Sequence, residues 1–362
     1  MEFKPLTDWM PSYERPLVIA GPCSAETQEQ VLTTARGLAK LPQVKVFRAG
    51  VWKPRTRPGS FEGVGVEGLK WMHEVKEETG LCTTVEVASP KHVEEALKYG
   101  IDILWIGART VVNPFSMQDL GESLSGVKVP VMIKNPVNPD LKLWIGAIER
   151  VLKSGINRIA AIHRGFYQYE KNAYRNPPQW EIPIELMRRM PGLPMICDPS
   201  HISGKRDLLL AVAQQSMDLE MDGLMIETHC NPDTALTDAE QQIEPSQLLT
   251  LLKALNIRTP KGNREFERNL EVLRSEIDGI DYELIKLLAK RMKIAAEMGK
   301  YKYDHNITIL QLDRWKALFA DRIKKGDKAG LNPKFLADLL QVVHEQSIEI
   351  QTNVMNKAAN KS

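Results

Sequence analysis

Four side chains that suit a metal ion follow apolar stretches of the sequence: Cys23, His201, Glu227 and Asp238. A thiol that follows Gly-Pro, as Cys23 does in LVIAGPCSAE, can be a packing residue, half of a disulfide, a nucleophile or a metal ligand. Thiolate, imidazole and carboxylate together form a mixed donor set suited to a first-row divalent metal. Considered alone, Cys23 is best interpreted as a packing residue. The metal interpretation therefore requires a fold that brings the four side chains together.

A second set of residues is cationic and also follows apolar stretches. Several Lys and Arg side chains in one pocket repel one another unless anions bind there, and two phosphates plus a carboxylate would balance them. Lys134 has a second interpretation, as the Schiff-base lysine of an aldolase. The set consists of Arg48, Lys53, Arg55, Arg57, Arg109, Lys134 and Arg164.

The elements that must position these residues alternate along most of the chain. From residue 17 to about 256, eight short and nearly continuous apolar runs alternate with amphipathic helical stretches, which is typical of strands covered on both faces. Eight such units predict an α/β fold, a (β/α)₈ TIM barrel, with a doubly wound sheet as the alternative. In a closed barrel the seventh, eighth and first units are neighbours, so Cys23, His201 and Glu227 would converge.

The remainder of the chain has a different, helical pattern. Residues 257–264 are polar and contain Pro260 and Gly262, which predicts a linker between a barrel domain at 1–256 and a helical domain at 265–362. The helical domain is predicted to be all-α, with a very long helix to about residue 302 and two more at about 309–325 and 333–356. Two companions cannot cover so long an apolar stripe, so we expect a homo-oligomer, at least a dimer through this domain.

The composition excludes some classes of protein. The 362 residues carry a formal charge of +2, with 43% hydrophobic and 26% charged residues, which gives no reason to expect a nucleic acid or a membrane as partner. The N-terminal residues lack the apolar core of a signal peptide. The four cysteines are widely spaced without a C-x-x-C pair, so we expect a reduced, cytoplasmic protein.

Six motifs give the barrel region a family resemblance. AGPCS, KPRT, GART, IKNP, DPSH and IETH…D occur in this order within the first 256 residues. Together they resemble 3-deoxy-D-arabino-heptulosonate-7-phosphate (DAHP) synthase, in its short microbial form. The resemblance implies a barrel enzyme of the shikimate pathway that condenses phosphoenolpyruvate with erythrose 4-phosphate. It also implies a divalent metal ion as cofactor, in the first place manganese.

The resemblance assigns roles residue by residue. It implies that Cys23, His201, Glu227 and Asp238 hold the metal. It implies a phosphoenolpyruvate site, in which Lys53 is also catalytic, made of Arg48, Lys53, Arg109, Lys134 and Arg164. Arg55 and Thr56 in KPRT would bind erythrose 4-phosphate. The alternative is a related barrel synthase that uses a five-carbon sugar phosphate, and KPRT argues against it because we expect an Asn-containing form there.

The helical region resembles a second family, the all-helical chorismate mutases. LRSEIDGIDYELIKLLAKR followed by GKYK, and later HEQSIEIQ, carry the resemblance. It implies rearrangement of chorismate to prephenate at a site formed by Arg274, Arg291, Lys302, Arg314, Ser347 and Gln351. Arg274 and Arg291 are about 25 Å apart along one straight helix. The resemblance therefore implies that Arg274 reaches the site of a partner protomer.

Two positions depart from the mutase pattern. Gln311 and Trp315 stand where relatives often carry acidic residues. This departure leaves an alternative in which the helical region is a dimerisation or prephenate-sensing module without turnover. Because two distant steps of one pathway are joined in one chain, we also expect chorismate or prephenate to regulate the barrel allosterically.

Overall fold

The computed structural model describes residues 2–53, 59, 61–170, 172–259 and 262–359. The predicted site residues Arg55 and Thr56, with their neighbour Arg57, lie outside the described residues. The chain forms two compact units, Met1–Pro260 and Lys261–Ser362, and the division falls within the segment predicted as a linker.

The first unit is a closed barrel of eight parallel strands in chain order, with β1 paired to both β2 and β8. This confirms the predicted (β/α)₈ barrel and excludes the doubly wound sheet. Each strand coincides with one of the eight apolar runs. The strands are β1 Leu17–Gly21, β2 Val44–Ala49, β3 Cys82–Val87, β4 Ile103–Ile106, β5 Val131–Lys134, β6 Ile159–His163, β7 Met195–Cys197 and β8 Gly223–Glu227.

Ten α-helices accompany the strands in the described part of this unit. Several begin at a side chain that accepts a hydrogen bond from the first turn, as Ser89, Asn113 and Asp140 do, which satisfies N–H groups that have no partner within the helix. The helices are α1 Gln28–Ala39, α2 Val66–Thr79, α3 Pro90–Lys98, α4 Ala108–Val111, α5 Pro114–Ser123, α6 Leu141–Lys153, α7 Glu181–Arg189, α8 Pro199–Ser203, α9 Leu209–Asp218 and α10 Pro245–Ala254.

Alternate residues of each strand belong to two separate apolar cores. Leu17 and Ile19 of β1 pack inside the barrel, together with Trp105 of β4, whereas Val18 and Ala20 pack against the surrounding helices. The alternation follows from the two-residue period of a strand. Side chains therefore fill the barrel interior, and a polar residue on the same row can emerge only at its carboxyl end.

Gly21 ends β1 in a conformation that other residues rarely adopt. Its φ is +146°, and a Cβ atom there would lie 2.1 Å from the carbonyl oxygen of Arg48 on β2. A side chain would therefore push β1 and β2 apart. The glycine lets the two strands remain close directly before Cys23.

The second unit consists of three helices: α11 Arg264–Asp304, α12 Leu312–Lys328 and α13 Pro333–Ala359. This confirms the predicted helical region, with α12 and α13 each ending three residues beyond the predicted position. α11 is 41 residues long and crosses α13 closely at Gly299, where a Cβ atom would lie 2.9 Å from the Cα atom of Gln351.

One face of α11 remains uncovered in the single chain. Seven large apolar side chains between residues 272 and 287 are each about half exposed or more. They are Val272, Leu273, Ile277, Ile280, Leu284, Ile285 and Leu287. Within the described residues, no helix is both long and apolar enough to cross a membrane.

We predict that Gly21→Ala destabilises the barrel by about 3 kcal/mol, because the methyl group adds a backbone clash to an unfavourable φ. The free energy of unfolding from urea titration measures the effect. Gly126→Ala is the matched control: its φ is also positive, at +77°, but nothing lies within 4 Å of the added Cβ, so a loss of about 1 kcal/mol is expected. Equal losses at both positions would contradict the role of the β1–β2 approach.

Candidate active sites

The carboxyl end of the barrel carries a ring of charged residues. Each charged residue lies two positions beyond a residue whose side chain packs inside the barrel, so the two-residue period of the strand directs the two side chains to the same side. Most of these charged side chains are buried, so this end of the barrel forms a pocket rather than a solvated surface. The pairs are Val46 and Arg48, Met132 and Lys134, Ile162 and Arg164, Ile196 and Asp198, and Met225 and Glu227.

Three of the four predicted metal ligands lie together. One donor atom each of Cys23, Glu227 and Asp238 lies within 4.8 Å of the other two. β1 and β8 pair in register from Leu17 with Gly223 to Gly21 with Glu227, which places the thiol beside the carboxylate. Burial, reinforced by Glu227, raises the pKa of the Cys23 thiol to about 12, a shift that a divalent cation would reverse.

His201 stands at the edge of this group rather than within it. Its Nε2 is 3.6 Å from Oε1 of Glu227, and its Nδ1 is 2.8 Å from Oδ2 of Asp198. The Asp198 contact favours the tautomer with the proton on Nδ1, which leaves Nε2 available as a ligand. Oε1 of Glu227 accepts no hydrogen bond from the described residues. The donor set therefore fits a first-row divalent metal.

Arg48 is the clearest indication that the pocket is suited to an anion. It is 1% exposed, its Nη2 lies 3.2 Å from Oε1 of Glu227, and its guanidinium carbon is 4.9 Å from the centre of the Trp105 ring. Its Nε and Nη1 have no hydrogen-bond partner among the described residues. A buried donor without a partner is costly, so these two nitrogens are suited to donate to a phosphate or carboxylate ligand.

The other predicted cations within the described residues stand at the same end of the barrel as Arg48. Nζ of Lys53 is 3.0 Å from Sγ of Cys23, and Nζ of the buried Lys134 is 2.9 Å from Oδ2 of Asp198. Burial, with the nearby charges of Arg175 and Arg109, lowers the pKa of Arg164 to about 10. Arg109 is exposed, in the first turn of α4. The cations are thus concentrated in one mouth, where an anion would relieve their repulsion.

Three residues of this pocket were not singled out in the sequence. Asp198 could have been found, because it stands two positions beyond the interior residue Ile196 on β7. Arg175 and Gln241 could not, because they lie in connections without a regular period. Nη1 of Arg175 is 3.0 Å from Oδ1 of Asp238, and Nε2 of Gln241 is 2.6 Å from Oε2 of Glu227.

The helical unit contains a separate cavity of about 260 Å³ between α11, α12 and α13. Five of the six predicted mutase residues line it: Arg291, Lys302, Arg314, Ser347 and Gln351. The sixth, Arg274, is exposed elsewhere on α11, with its Nη1 3.7 Å from Oε2 of Glu271. The lining described by the structure contains no Asp or Glu, so its charge is strongly positive.

The walls of this cavity are fixed by contacts between helices. Arg291 donates to the Ser347 hydroxyl and, at 3.2 Å, to the carbonyl of Val343. Oε1 of the buried Gln351 has no partner among the described residues. Burial lowers the pKa of Lys302, and burial together with the charge of Arg322 lowers that of Arg291. An anionic ligand would reverse both shifts.

Two lining residues outside the predicted set close one side of the cavity. The rings of Trp315 and His344 stack with their centroids 3.6 Å apart and an interplanar angle of 7°. Trp315, one of the two positions that depart from the mutase pattern, therefore forms part of the wall. Arg322 adds a fourth Lys or Arg to the lining.

The fold and these sites define a class of protein: a (β/α)₈ barrel with a buried metal-type donor set beside an anion pocket, joined to a helical unit with a cationic cavity. Comparison with known proteins identifies the family. The profile described as "DAHP synthetase I family" matches residues 12–261, and "Chorismate mutase type II" matches residues 273–352. The chain belongs to the DAHP synthetase I family, and its helical region carries a chorismate mutase type II domain.

Individual relatives match the barrel region. Phospho-2-dehydro-3-deoxyheptonate aldolase of Thermotoga maritima is 32% identical over 227 residues, which are 63% of this chain and 65% of that protein. Its crystal structure superposes with a TM-score of 0.59 at 30% identity, covering 66% of this chain and 67% of that one. A 2-dehydro-3-deoxyphosphooctonate aldolase of Desulfatibacillum aliphaticivorans is 31% identical over 260 residues, covering 66% of this chain and 90% of that protein.

We predict that Asp198→Asn lowers the free energy of unfolding by about 3 kcal/mol at pH 7 in the presence of EDTA, because it leaves Lys134 buried without a countercharge. Burial acts to raise the pKa of Asp198, but His201 and Lys134 outweigh it and hold that pKa well below its usual value. The carboxylate therefore stabilises the fold above its unfolded pKa of about 3.9, and this contribution is lost as the pH falls further.

Urea titrations of both proteins between pH 3 and 8 measure this effect. The difference between them should be constant above about pH 5 and narrow below about pH 4. Glu67→Gln is the control, because Glu67 pairs with Lys70 at 2.7 Å with both side chains half exposed, and it should leave stability unchanged. If Asp198→Asn and Glu67→Gln change the free energy of unfolding equally, burial of the Lys134–Asp198 pair is not the cause of the effect.

Proposed function

We propose that the barrel condenses phosphoenolpyruvate with erythrose 4-phosphate to DAHP and phosphate, and that the helical unit rearranges chorismate to prephenate. The observation that carries the first activity is the buried Arg48. Two of its nitrogens lack a hydrogen-bond partner among the described residues, and its third nitrogen faces Glu227 of the metal-type donor set. An anion subsite beside such a donor set suits a phosphorylated substrate whose reaction partner is activated by a metal.

Cys23, His201, Glu227 and Asp238 would hold a divalent ion, in the first place manganese, which supplies a Lewis acid for the aldehyde of erythrose 4-phosphate. Asp198 orients His201 for this role. Lys53, at 3.0 Å from the Cys23 sulfur, favours its thiolate form. The donor types and their separations support this assignment.

The cations of the pocket hold the other substrate. Arg48, Lys134 and Arg164 surround the space in which the phosphate and carboxylate of phosphoenolpyruvate are neutralised, and Arg109 extends this set at the mouth. The methylene carbon of phosphoenolpyruvate bonds to the aldehyde carbon, water adds at the adjacent carbon, and phosphate leaves. Positioning and charge stabilisation by fixed cations are what this chain contributes to the step.

The two kinds of relative differ in the sugar phosphate that they are named for. Some are named for a seven-carbon heptonate and others for an eight-carbon octonate, so the aldehyde substrates implied by these names differ by one carbon. The KPRT sequence at 53–56 favours erythrose 4-phosphate for this chain, as does the family profile.

We predict that EDTA abolishes the condensation and that added Mn²⁺ restores it. Cys23→Ser should reduce the condensation rate at least about 100-fold by weakening the donor set, and should leave chorismate turnover unchanged. Phosphate release with erythrose 4-phosphate, compared with arabinose 5-phosphate, measures the rate and the aldehyde preference. Cys82→Ser is the control, because Cys82 begins β3 at the opposite end of the barrel.

Two results would contradict this proposal. Full activity in EDTA would exclude the metal. Trapping of the protein by borohydride in the presence of erythrose 4-phosphate, whose aldehyde can form an imine with a lysine, would favour a Schiff base at Lys134.

The cationic cavity supports the second activity. Chorismate carries two carboxylates and an ether oxygen that gains negative charge in the transition state, so a rearrangement without a nucleophile or metal needs fixed donors. Arg291, Arg314 and Lys302 supply positive charge, and Ser347 and Gln351 supply buried polar groups. No carboxylate among the described lining residues opposes this charge.

We further propose a homodimer through α11. Its apolar face at residues 272–287 exposes seven large apolar side chains, and a contiguous exposed apolar patch marks an interaction surface. Arg274 lies within the same stretch of the helix, outside the cavity of its own chain. A second copy would cover the apolar face and bring Arg274 to the partner's cavity.

We predict that Arg274→Ala and Arg291→Ala each lower kcat/KM for chorismate about 100-fold or more. If Arg274 acts across the dimer, mixing the two inactive variants under conditions of subunit exchange restores part of the activity, because some dimers contain one intact site. Lys286→Ala is the control: Lys286 is exposed on α11 and pairs with Glu283. Full turnover by Arg274→Ala would contradict the shared site.

The alternative is a helical unit that only senses prephenate. Trp315, which stacks on His344 in the cavity wall where relatives often carry an acidic residue, keeps this alternative open. Prephenate binding without chorismate turnover in the full chain would favour that alternative. Under either interpretation we propose that prephenate or chorismate alters the barrel rate, which saturating prephenate tests directly. Because the four cysteines are free thiols, we place both reactions in the reducing cytoplasm.

A further inference from the structure

Gln241 connects two carboxylates of the proposed metal site. It ends a short 3₁₀ turn, Ala239–Gln241, and is 1% exposed. Its Nε2 lies 2.6 Å from Oε2 of Glu227 and 3.5 Å from Oδ2 of Asp238. A side-chain amide nitrogen carries two hydrogens, so this one group can donate toward both acids.

Arg175 fixes which end of the amide faces the acids. Its Nη1 is 2.8 Å from Oε1 of Gln241 and 3.0 Å from Oδ1 of Asp238. A guanidinium only donates hydrogen bonds, so the amide atom that faces it must be the oxygen. The nitrogen of Gln241 is then directed toward Glu227 and Asp238, and the amide cannot turn over without losing all three contacts.

The two carboxylates need such a bridge. Their like charges repel each other within a buried pocket, and Asp238 stands in the left-handed region with φ of +50°. Gln241 engages one oxygen of Glu227, while the other, Oε1, accepts no hydrogen bond from the described residues. The bridge thus holds the acids in place without occupying Oε1, whose nearest basic neighbours are Nη2 of Arg48 at 3.2 Å and Nε2 of His201 at 3.6 Å.

We propose that Gln241, oriented by Arg175, is the residue that sets the positions of Glu227 and Asp238 for divalent-cation binding. This inference rests on the proposed metal site. Gln241 touches the acids rather than the cation or the substrate, so it is a positioning residue. Groups that orient metal ligands in this way contribute about 10–100-fold to metal affinity.

The test measures Mn²⁺ binding by the full-length protein without substrates. The electron paramagnetic resonance signal of free Mn²⁺ is titrated against wild type and Gln241→Met, which keeps the length of the side chain but removes the amide. We expect the Mn²⁺ dissociation constant to rise about 10–100-fold. The increase in melting temperature caused by a fixed Mn²⁺ concentration should fall in parallel.

Gln30→Met is the matched control. Gln30 is a buried glutamine whose amide, among the described residues, forms hydrogen bonds with backbone groups alone: the N–H of Glu26 at 3.1 Å and the carbonyl of Ser24 at 3.5 Å. Its loss should leave the Mn²⁺ dissociation constant within about twofold of wild type. Gln241→Asn serves if the methionine variant does not fold, because its shorter amide cannot reach both acids, and it should also weaken Mn²⁺ binding.

The outcomes separate the two proposals. Weaker Mn²⁺ binding by the Gln241 variants, with normal binding by Gln30→Met, supports the positioning role. Wild-type affinity in a folded Gln241 variant overturns it while leaving the metal site intact. Failure of the wild-type protein itself to bind Mn²⁺ overturns the metal site first, and with it this inference.

Discussion

The pairing of β1 with β8 is the constraint on which the barrel site depends. It closes the barrel and aligns Gly21 with Glu227. Cys23, which directly follows β1, therefore lies beside Glu227 and Asp238, more than 200 positions later in the sequence. On its other side, Gly21 lets β1 lie close to β2, because only a residue without a Cβ atom fits against the Arg48 carbonyl. The donor set is thus a consequence of barrel geometry, and no local segment of the chain could form it alone.

Charge balance is the second requirement of this pocket. Arg48 with Glu227 and Lys134 with Asp198 are ion pairs in which every side chain is almost fully buried, and such pairs are tolerated only when their remaining donors and acceptors are satisfied. Asp198 is satisfied by Lys134 and His201, but two nitrogens of Arg48 have no hydrogen-bond partner within the described part of the chain. These donors are suited to an anion, which is a property expected of a site for a phosphorylated substrate.

The helical unit also concentrates positive charge in a cavity, but it does so between three helices rather than at the end of a barrel. Its cavity holds several cations without an opposing carboxylate among the described residues, and the lowered pKa values of Arg291 and Lys302 reflect their incomplete solvation. Close contact between α11 and α13 at Gly299 positions Gln351 at the wall. Each unit thus contains its own cationic pocket, and the two pockets are built from different residues on different folds.

The sequence by itself determined the eight strands, the three final helices and most of the charged residues at the strand ends, because burial on both faces and a two-residue period leave a direct trace in the order of apolar and polar residues. It also indicated five residues of the helical cavity. Only the tertiary structure decided that Arg175 and Gln241 join the barrel site and that Trp315 stacks on His344. Those residues lie in loops or on faces where no period constrains the side chain, so their roles follow from contacts that exist only after the distant segments have packed.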